Sequence, residues 1–164
     1  MPAVVPMQPG HIAACARIMA ENALWQRHGV TLADAMKRFS GGLQDAAACM
    51  KVALIDDDVC GFIWYYQRGT FYSGGYIRLV GVANGAKGQG IGQLLMEVAE
   101  TDISQHARDI FLLASDFNTG AHRFYRRLGY QSIGALPDFA SAGITEMIFW
   151  KRLPQKGAPT PPTR

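Results

Sequence analysis

The stretch GGYIRLVGVANGAKGQGIGQLLMEVAE, residues 74–100, decides the reading of this chain. It opens on a strand-like run (GGYIRLVGV, 74–82), passes through GAKGQGIG (85–92) with four glycines in eight positions, and ends in a helical pattern. Ile91, Leu94, Leu95 and Val98 recur at the spacing of one helix face. The first N–H groups of a helix have no partner inside it, and the helix dipole places partial positive charge there. Glycines let an anion approach the backbone with no Cβ in the way, and Lys87 adds a full charge at the mouth. The stretch therefore predicts a phosphate or pyrophosphate site at the carboxyl end of a strand, where ligands sit in open α/β sheets. Taken alone, the same glycines read equally well as a tight turn. The standard nucleotide patterns fail: the loop reads G-x-G-x-G rather than G-x-G-x-x-G, and Lys87 is followed by Gly88 rather than Ser or Thr.

Upstream, AVVPM predicts a short strand that Pro6 confines to an edge. HIAACARIMAENALWQR reads as one helix, and TLADAMKRF as a second, capped by Thr31 and ending at Gly41-Gly42. MKVALIDDDVCGFIWYY predicts a hairpin turning at Asp56–Asp58. Downstream, DIFLLAS reads as a buried strand, and NTGAHRFYRRLGY as a short helix capped by Asn118 or Thr119 and stopped by Gly129. YQSIGAL and ITEMIFWKRL predict two final strands joined by the loop 137–143. The expected order is β-α-α-β-β-β-α-β-α-β-β. This is an α/β (α+β) fold with a mixed, mostly antiparallel central sheet and helices on both faces. One domain spans 1–153, and the Pro-rich tail 154–164 is expected to be disordered.

Composition narrows the classes of function. At 164 residues with 49% hydrophobic and 18% charged residues, the chain has the length of one domain and enough apolar content for a core. A net charge of +3 without a dense basic run argues against nucleic acid. The three cysteines (Cys15, Cys49, Cys60) have no CxxC spacing, and no secretory signal is apparent, so a cytoplasmic location is expected. The four histidines (His11, His28, His106, His122) show no metal-ligand spacing, so no metal is expected. No apolar run approaches the ~20 residues of a membrane span.

VANGAKGQGIGQLLMEVAE resembles the pyrophosphate loop of the GNAT-family N-acetyltransferases, usually written [R/Q]-x-x-G-x-[G/A]. Lys87 stands at the first position, keeping the charge but losing the planar fork of arginine. A second segment, LLASDFNTGAHRFYRRLGYQSIG, resembles that family's N-x-x-A-x-x-F-Y-x-x-x-G-[F/Y]. Asn118, Ala121, Phe124, Tyr125, Gly129 and Tyr130 fill every position. The resemblance covers roughly residues 50–153. It implies acetyl-CoA as acetyl donor, held by backbone N–H groups of Gly88, Gln89, Gly90, Ile91, Gly92 and Gln93. It also implies that Val80, Gly81 and Val82 pair with the pantetheine arm, and that backbone N–H near Val82 forms an oxyanion site.

By spacing, Tyr125 lies on the buried stripe Ala121–Phe124–Tyr125–Leu128 and would be core. The resemblance instead points it at the CoA sulfur, as the acid that protonates the leaving thiolate. Asn118 reads as a helix cap, as a pantetheine or water ligand, or both. A general base is harder to find, because GGYIRLVGV carries no acidic residue where several relatives have one. Asp116 is the nearest candidate and Asp138 a weaker one, with positioning alone as the alternative. Trp25, Trp64, Tyr65, Tyr66, Tyr72 and Phe139 either pack the core or floor an acceptor pocket. The implied reaction is direct transfer of acetyl to a primary amine of a small molecule or peptide. A non-catalytic acyl-CoA-binding or regulatory module is the other reading. The last strand is long and apolar enough to pair across a homodimer.

Overall fold

The computed structural model describes residues 1–155. The elements are β1 (Ala3–Pro6), α1 (Ile12–Ala20), α2 (Ala23–Arg27), α3 (Leu32–Gln44), β2 (Cys49–Ile55), β3 (Asp58–Thr70) and β4 (Gly74–Val82). They continue with α4 (Ile91–Ile103), β5 (Asp109–Ser115), α5 (Thr119–Arg127), β6 (Gln131–Pro137) and β7 (Thr145–Arg152). The seven strands form one sheet in the order β1-β2-β3-β4-β5-β7-β6, antiparallel except for β4 beside β5. The expected mixed sheet is thus present, with Pro6 on an edge strand. The expected tail lies, beyond Gln155, outside the described residues.

Strand alternation sends side chains to two cores, one on each face. Val52, Phe62 and Trp64 meet α1, α2 and α3, where Cys15, Met19, Trp25 and Phe39 are buried. Ala53, Ile63 and Tyr65 meet α4 on the other face, packed by Ile91, Leu95, Met96, Ala99 and Ile103. The hairpin between β2 and β3 turns through Asp56 (φ 49°) and Asp57 (φ 67°), a left-handed pair that Asp tolerates well and that matches strand twist.

Three expectations need correction. The helix expected across residues 11–27 is two helices. Asn22 leaves the helical conformation (φ −88°, ψ 126°), and its side chain accepts from the Leu24 N–H at 3.0 Å. That bond caps a new helix, α2, instead of continuing the old one. The helix expected to stop at Gly41-Gly42 runs on to Gln44. Gly42 serves close packing: a Cβ there would come within 2.5 Å of the Trp64 ring. Finally, β7 lies between β5 and β6 with both edges paired, so within this chain it has no edge to offer a partner; the free edge belongs to β6.

Two features prepare the site. β4 and β5 pair only at Gly75–Ile77 against Ile110–Leu112, although β4 continues to Val82 and β5 to Ser115. Beyond Ile77 the strands part into a wedge, leaving the β5-side backbone edge of β4 without a strand partner. At the wedge's apex β4 is bulged, with Leu79 opposite Trp64 and Ile77 opposite Tyr65, so Arg78 is the extra residue. The bulge shifts the alternation by one. Ile77 packs against the α4 face and Leu79 against the α1–α3 face.

Candidate active site

After β4 a short 3-10 turn (Asn84–Ala86) leads into the glycine loop. Gly88 (φ +78°) and Gly90 (φ +79°) are both left-handed, a region costly for most side chains. A Cβ at either would meet nothing within 4 Å. These two glycines are therefore required by backbone conformation, and the space above them is open. Gly90 is the N-cap of α4, and the first bond of that helix runs from the Leu94 N–H to the Gly90 carbonyl. The N–H groups of Ile91, Gly92 and Gln93 have no partner within the helix.

This loop floors one end of a cavity of about 1030 Å³ that lies beside the Val80–Val82 end of β4, between α2, α4 and α5. Its lining brings together Val80, Gly81, Val82, Lys87, Gly88, Gly90, Ile91, Gly92, Gln93, Asn118 and Tyr125, predicted residues from three separate elements. Gln89 is not in the lining; its side chain turns back to donate to the Gly85 carbonyl at 3.1 Å. The conformation, the free N–H groups and the open wedge fit an elongated ligand with a phosphate-bearing end and an amide-bearing arm.

Tyr125 stands at the inner end of this cavity. Its ring is held by Phe124, Tyr130 and Phe149, with centroids 5.3, 5.9 and 5.8 Å away. Packing thus fixes the ring, as the buried stripe predicted, while the hydroxyl has no hydrogen-bond partner among the described residues. Burial pushes the phenol above its usual range, so it holds its proton. Asn118 caps α5, accepting from the Ala121 N–H at 3.3 Å, and lines the cavity as well.

Behind Tyr125 a second cavity of about 320 Å³ shares Leu24, Trp25, Val80, Asn118, Ala121 and Tyr125 with the first. Its back wall holds Glu146, a carboxylate only 5% exposed, on β7 directly opposite Ser115. The Ser115 hydroxyl donates to Glu146 Oε1 at 2.9 Å. Since Ser115 spends its proton there, the His28 Nε2 at 2.8 Å donates to Ser115 Oγ. His28 Nδ1 lies 2.7 Å from Ser141 Oγ, so one imidazole ties α2 to β5 and to the 138–143 loop. Glu146 Oε2 has no protein donor among the described residues and is not sealed from the cavity. Tyr76 lies between charges of opposite sign. Burial raises its phenol, Arg78 lowers it and Glu146 raises it again.

The predicted acids are elsewhere. Asp116 is exposed on the turn after β5 and lines neither cavity. Asp138 accepts from the Gly143 N–H and closes its own loop. Of the aromatic residues, Trp25 and Phe139 line the second cavity, Tyr65 is core, and Tyr72 is fully exposed. Glu146 escaped the sequence reading, although a signal exists. It is an acidic residue within the apolar strand ITEMIFWKRL, and a charge is rarely buried there without a purpose.

The profile described as "Acetyltransferase (GNAT) family" matches residues 12–130. This chain belongs to the GNAT family of acetyltransferases. Solved GNAT structures share its fold. A GNAT-family protein of Desulfovibrio desulfuricans superposes with a TM-score of 0.78 at 19% identity, covering 93% of this chain and 99% of its own. Ribosomal-protein-alanine N-acetyltransferase of Brucella melitensis gives 0.73 at 18%, covering 92% and 99%. An aminoglycoside 6′-N-acetyltransferase complexed with coenzyme A gives 0.76 at 15%, covering 98% and 99%. Comparison with curated proteins finds no match. The GNAT family takes acetyl-CoA as its donor. Among the described residues no group of three or more His, Cys, Asp or Glu is placed to hold a metal, and no helix is long and apolar enough to cross a membrane.

Proposed function

We propose that this GNAT acetyltransferase moves the acetyl group of acetyl-CoA directly to a primary amine of a small molecule or peptide. The observation that carries the reading is the meeting of two cavities at Tyr125, a phosphate-ready wedge on one side and a buried carboxylate on the other. N–H groups of residues 88–93 would hold the pyrophosphate, with Lys87 beside them. The free edge at Val80–Val82 would pair with the pantetheine amides, and an N–H near Val82 would stabilise the oxyanion.

When bound, the thioester supplies an activated acyl carbon and a thiol leaving group. Glu146 accepts the proton the amine must lose, directly or through water, as the C–N bond forms. Tyr125 gives its proton to the sulfur as the C–S bond breaks. Attack and departure thus have separate proton partners. Glu146 supplies the carboxylate missing from the β4 segment. Asp116, exposed and outside both cavities, is the weaker assignment for the base. Three free cysteines fit a reducing, cytoplasmic setting.

The test is CoA thiol release from acetyl-CoA over amino acids, polyamines, aminoglycosides and short peptides. Release dependent on one class of amine is the expected result. Tight acetyl-CoA binding with no release from any amine would contradict transfer and restore the binding-module reading.

A further inference from the structure

The second cavity carries more charge than proton transfer needs. Arg38 of α3 and Arg78 of the β4 bulge line its outer side together. Both also line an adjoining groove of about 540 Å³ under α3. Neither forms an ion pair among the described residues. The Arg78 guanidinium carbon lies over the Trp64 ring, 4.2 Å from its centroid, and among the described residues the one hydrogen bond of the Arg78 side chain is a long 3.5 Å contact from Nη1 to the Tyr66 hydroxyl. Arg38 makes no side-chain hydrogen bond among the described residues.

The nearby carboxylates are engaged elsewhere. Asp34 accepts from the N–H and hydroxyl of Thr31 in a capping box, and Asp45 accepts from Tyr66 and from the Ala47 N–H. At the far end of the sheet, by contrast, Arg108 and Arg152 pair with Asp109, and Lys151 pairs with Glu100. Two guanidinium groups therefore line a small cavity with no carboxylate in ion-pair contact among the described residues, Asp34 acting on Arg38 only at longer range, while the Glu146 carboxylate lies elsewhere in the same lining.

Resting on the acetyl-transfer reading of this same site, we propose that the acceptor is a small amino carboxylic acid. Its carboxylate is gripped by Arg38 and Arg78, and its amine reaches Glu146 and the thioester beside Tyr125. A guanidinium matches a carboxylate in shape and charge, and such bonds are about twice as strong as neutral ones. The cavity's polarity, cationic outside and anionic inside, complements a molecule that is anionic at one end and an amine at the other. Its 320 Å³ lies at the small end of ligand sites. Polycationic acceptors meet repulsion from both arginines. The bulge is what makes this arrangement: as the unpaired extra residue, Arg78 is released from strand alternation.

The experiment compares kcat/KM for amino carboxylic acids and for the same molecules as carboxamides. Acids are expected to lead by about tenfold or more, the value of one charge-assisted contact. Arg38→Gln and Arg78→Gln should each raise the KM of the acid by about tenfold. The carboxamide's KM, the kcat and the affinity for CoA should stay nearly unchanged, and Arg78→Lys should recover part of the loss. Equal kcat/KM for acid and amide, or variants that weaken both equally, would overturn the proposal. Calorimetry on the CoA-loaded protein keeps the two readings apart. Amino acids that bind through the arginines yet are never acetylated would contradict transfer alone, whereas amines acetylated without preference would contradict this inference alone.

Discussion

The two halves of the cavity system differ in how they are built. The donor half is centred on one contiguous strand-loop-helix, with one wall from α5 and another from the Asn22–Arg27 segment. Its requirements are backbone requirements: left-handed φ at Gly88 and Gly90, free N–H groups at the head of α4, and an unpaired strand edge. The acceptor half is assembled from side chains far apart in sequence, His28, Arg38, Arg78, Ser115, Ser141 and Glu146. The proposed pyrophosphate site is local and written in glycines. The proposed acceptor site is long-range and written in side chains that only the fold collects. Substitutions at residues that line only one of the two cavities should therefore leave the other intact.

The largest separable effect is expected at Glu146. Glu146→Gln should lower kcat/KM by roughly 10²–10⁴, the range of positioned acid–base groups, without changing acetyl-CoA affinity. An unchanged kcat/KM would break the assignment of Glu146 as base. A smaller effect is expected in the donor half. Gly90→Val should weaken CoA binding at least about tenfold, because a β-branched residue is strained at φ +79°. Gly90→Asn, which tolerates that conformation, should retain most of the affinity. If both bind CoA equally badly, the open space above the loop matters more than its backbone.

A finer test concerns His28. His28→Ala should raise the acceptor KM roughly fivefold, since it unties α2 from Ser115 and Ser141 while touching nothing in the donor loop. A parallel loss of CoA affinity would mean that the two halves are coupled. The smallest effect is on stability. Burial pushes the Cys15 thiol up to about 12 and holds Tyr65, Tyr125 and Tyr130 above the usual phenol range. Unfolded, these groups ionise near about 8.5 and 10 while the folded protein keeps them protonated. Stability should thus be full below about pH 8.5 and fall as pH rises from there through 12. A thermal midpoint constant from pH 8 to 11 would show that these groups are less confined than the packing indicates.

The same contrast explains what could be read in advance. Strand 74–82, helix α4, strand 109–115 and the Asn118 cap all follow from local periodicity and capping chemistry, and the structure bears them out. Asn22 was hidden because a single side-chain bond outweighed an apolar period that continued across it. The wedge between β4 and β5 is a relation between two strands, and the Arg78 bulge appears only in their register. Glu146 reaches Ser115 because β5 and β7 pair across 31 residues of separation. Asp116, one position past Ser115, was the closest that nearness in sequence could come. In the glycine loop, chain neighbours are site neighbours; around Glu146 they are not.

The central claim is that the halves meet at the Tyr125 hydroxyl, and one substitution addresses it. Turnover and acetyl-CoA affinity should be measured side by side in Tyr125→Phe, which keeps the ring packed between Phe124, Tyr130 and Phe149 and removes only the proton donor. The account predicts a fall in kcat of roughly 10²-fold or more, with the Kd for acetyl-CoA held within about twofold. A kcat that stays near the native value, or a Kd that rises in step with the loss of turnover, would make Tyr125 a core residue and contradict the account.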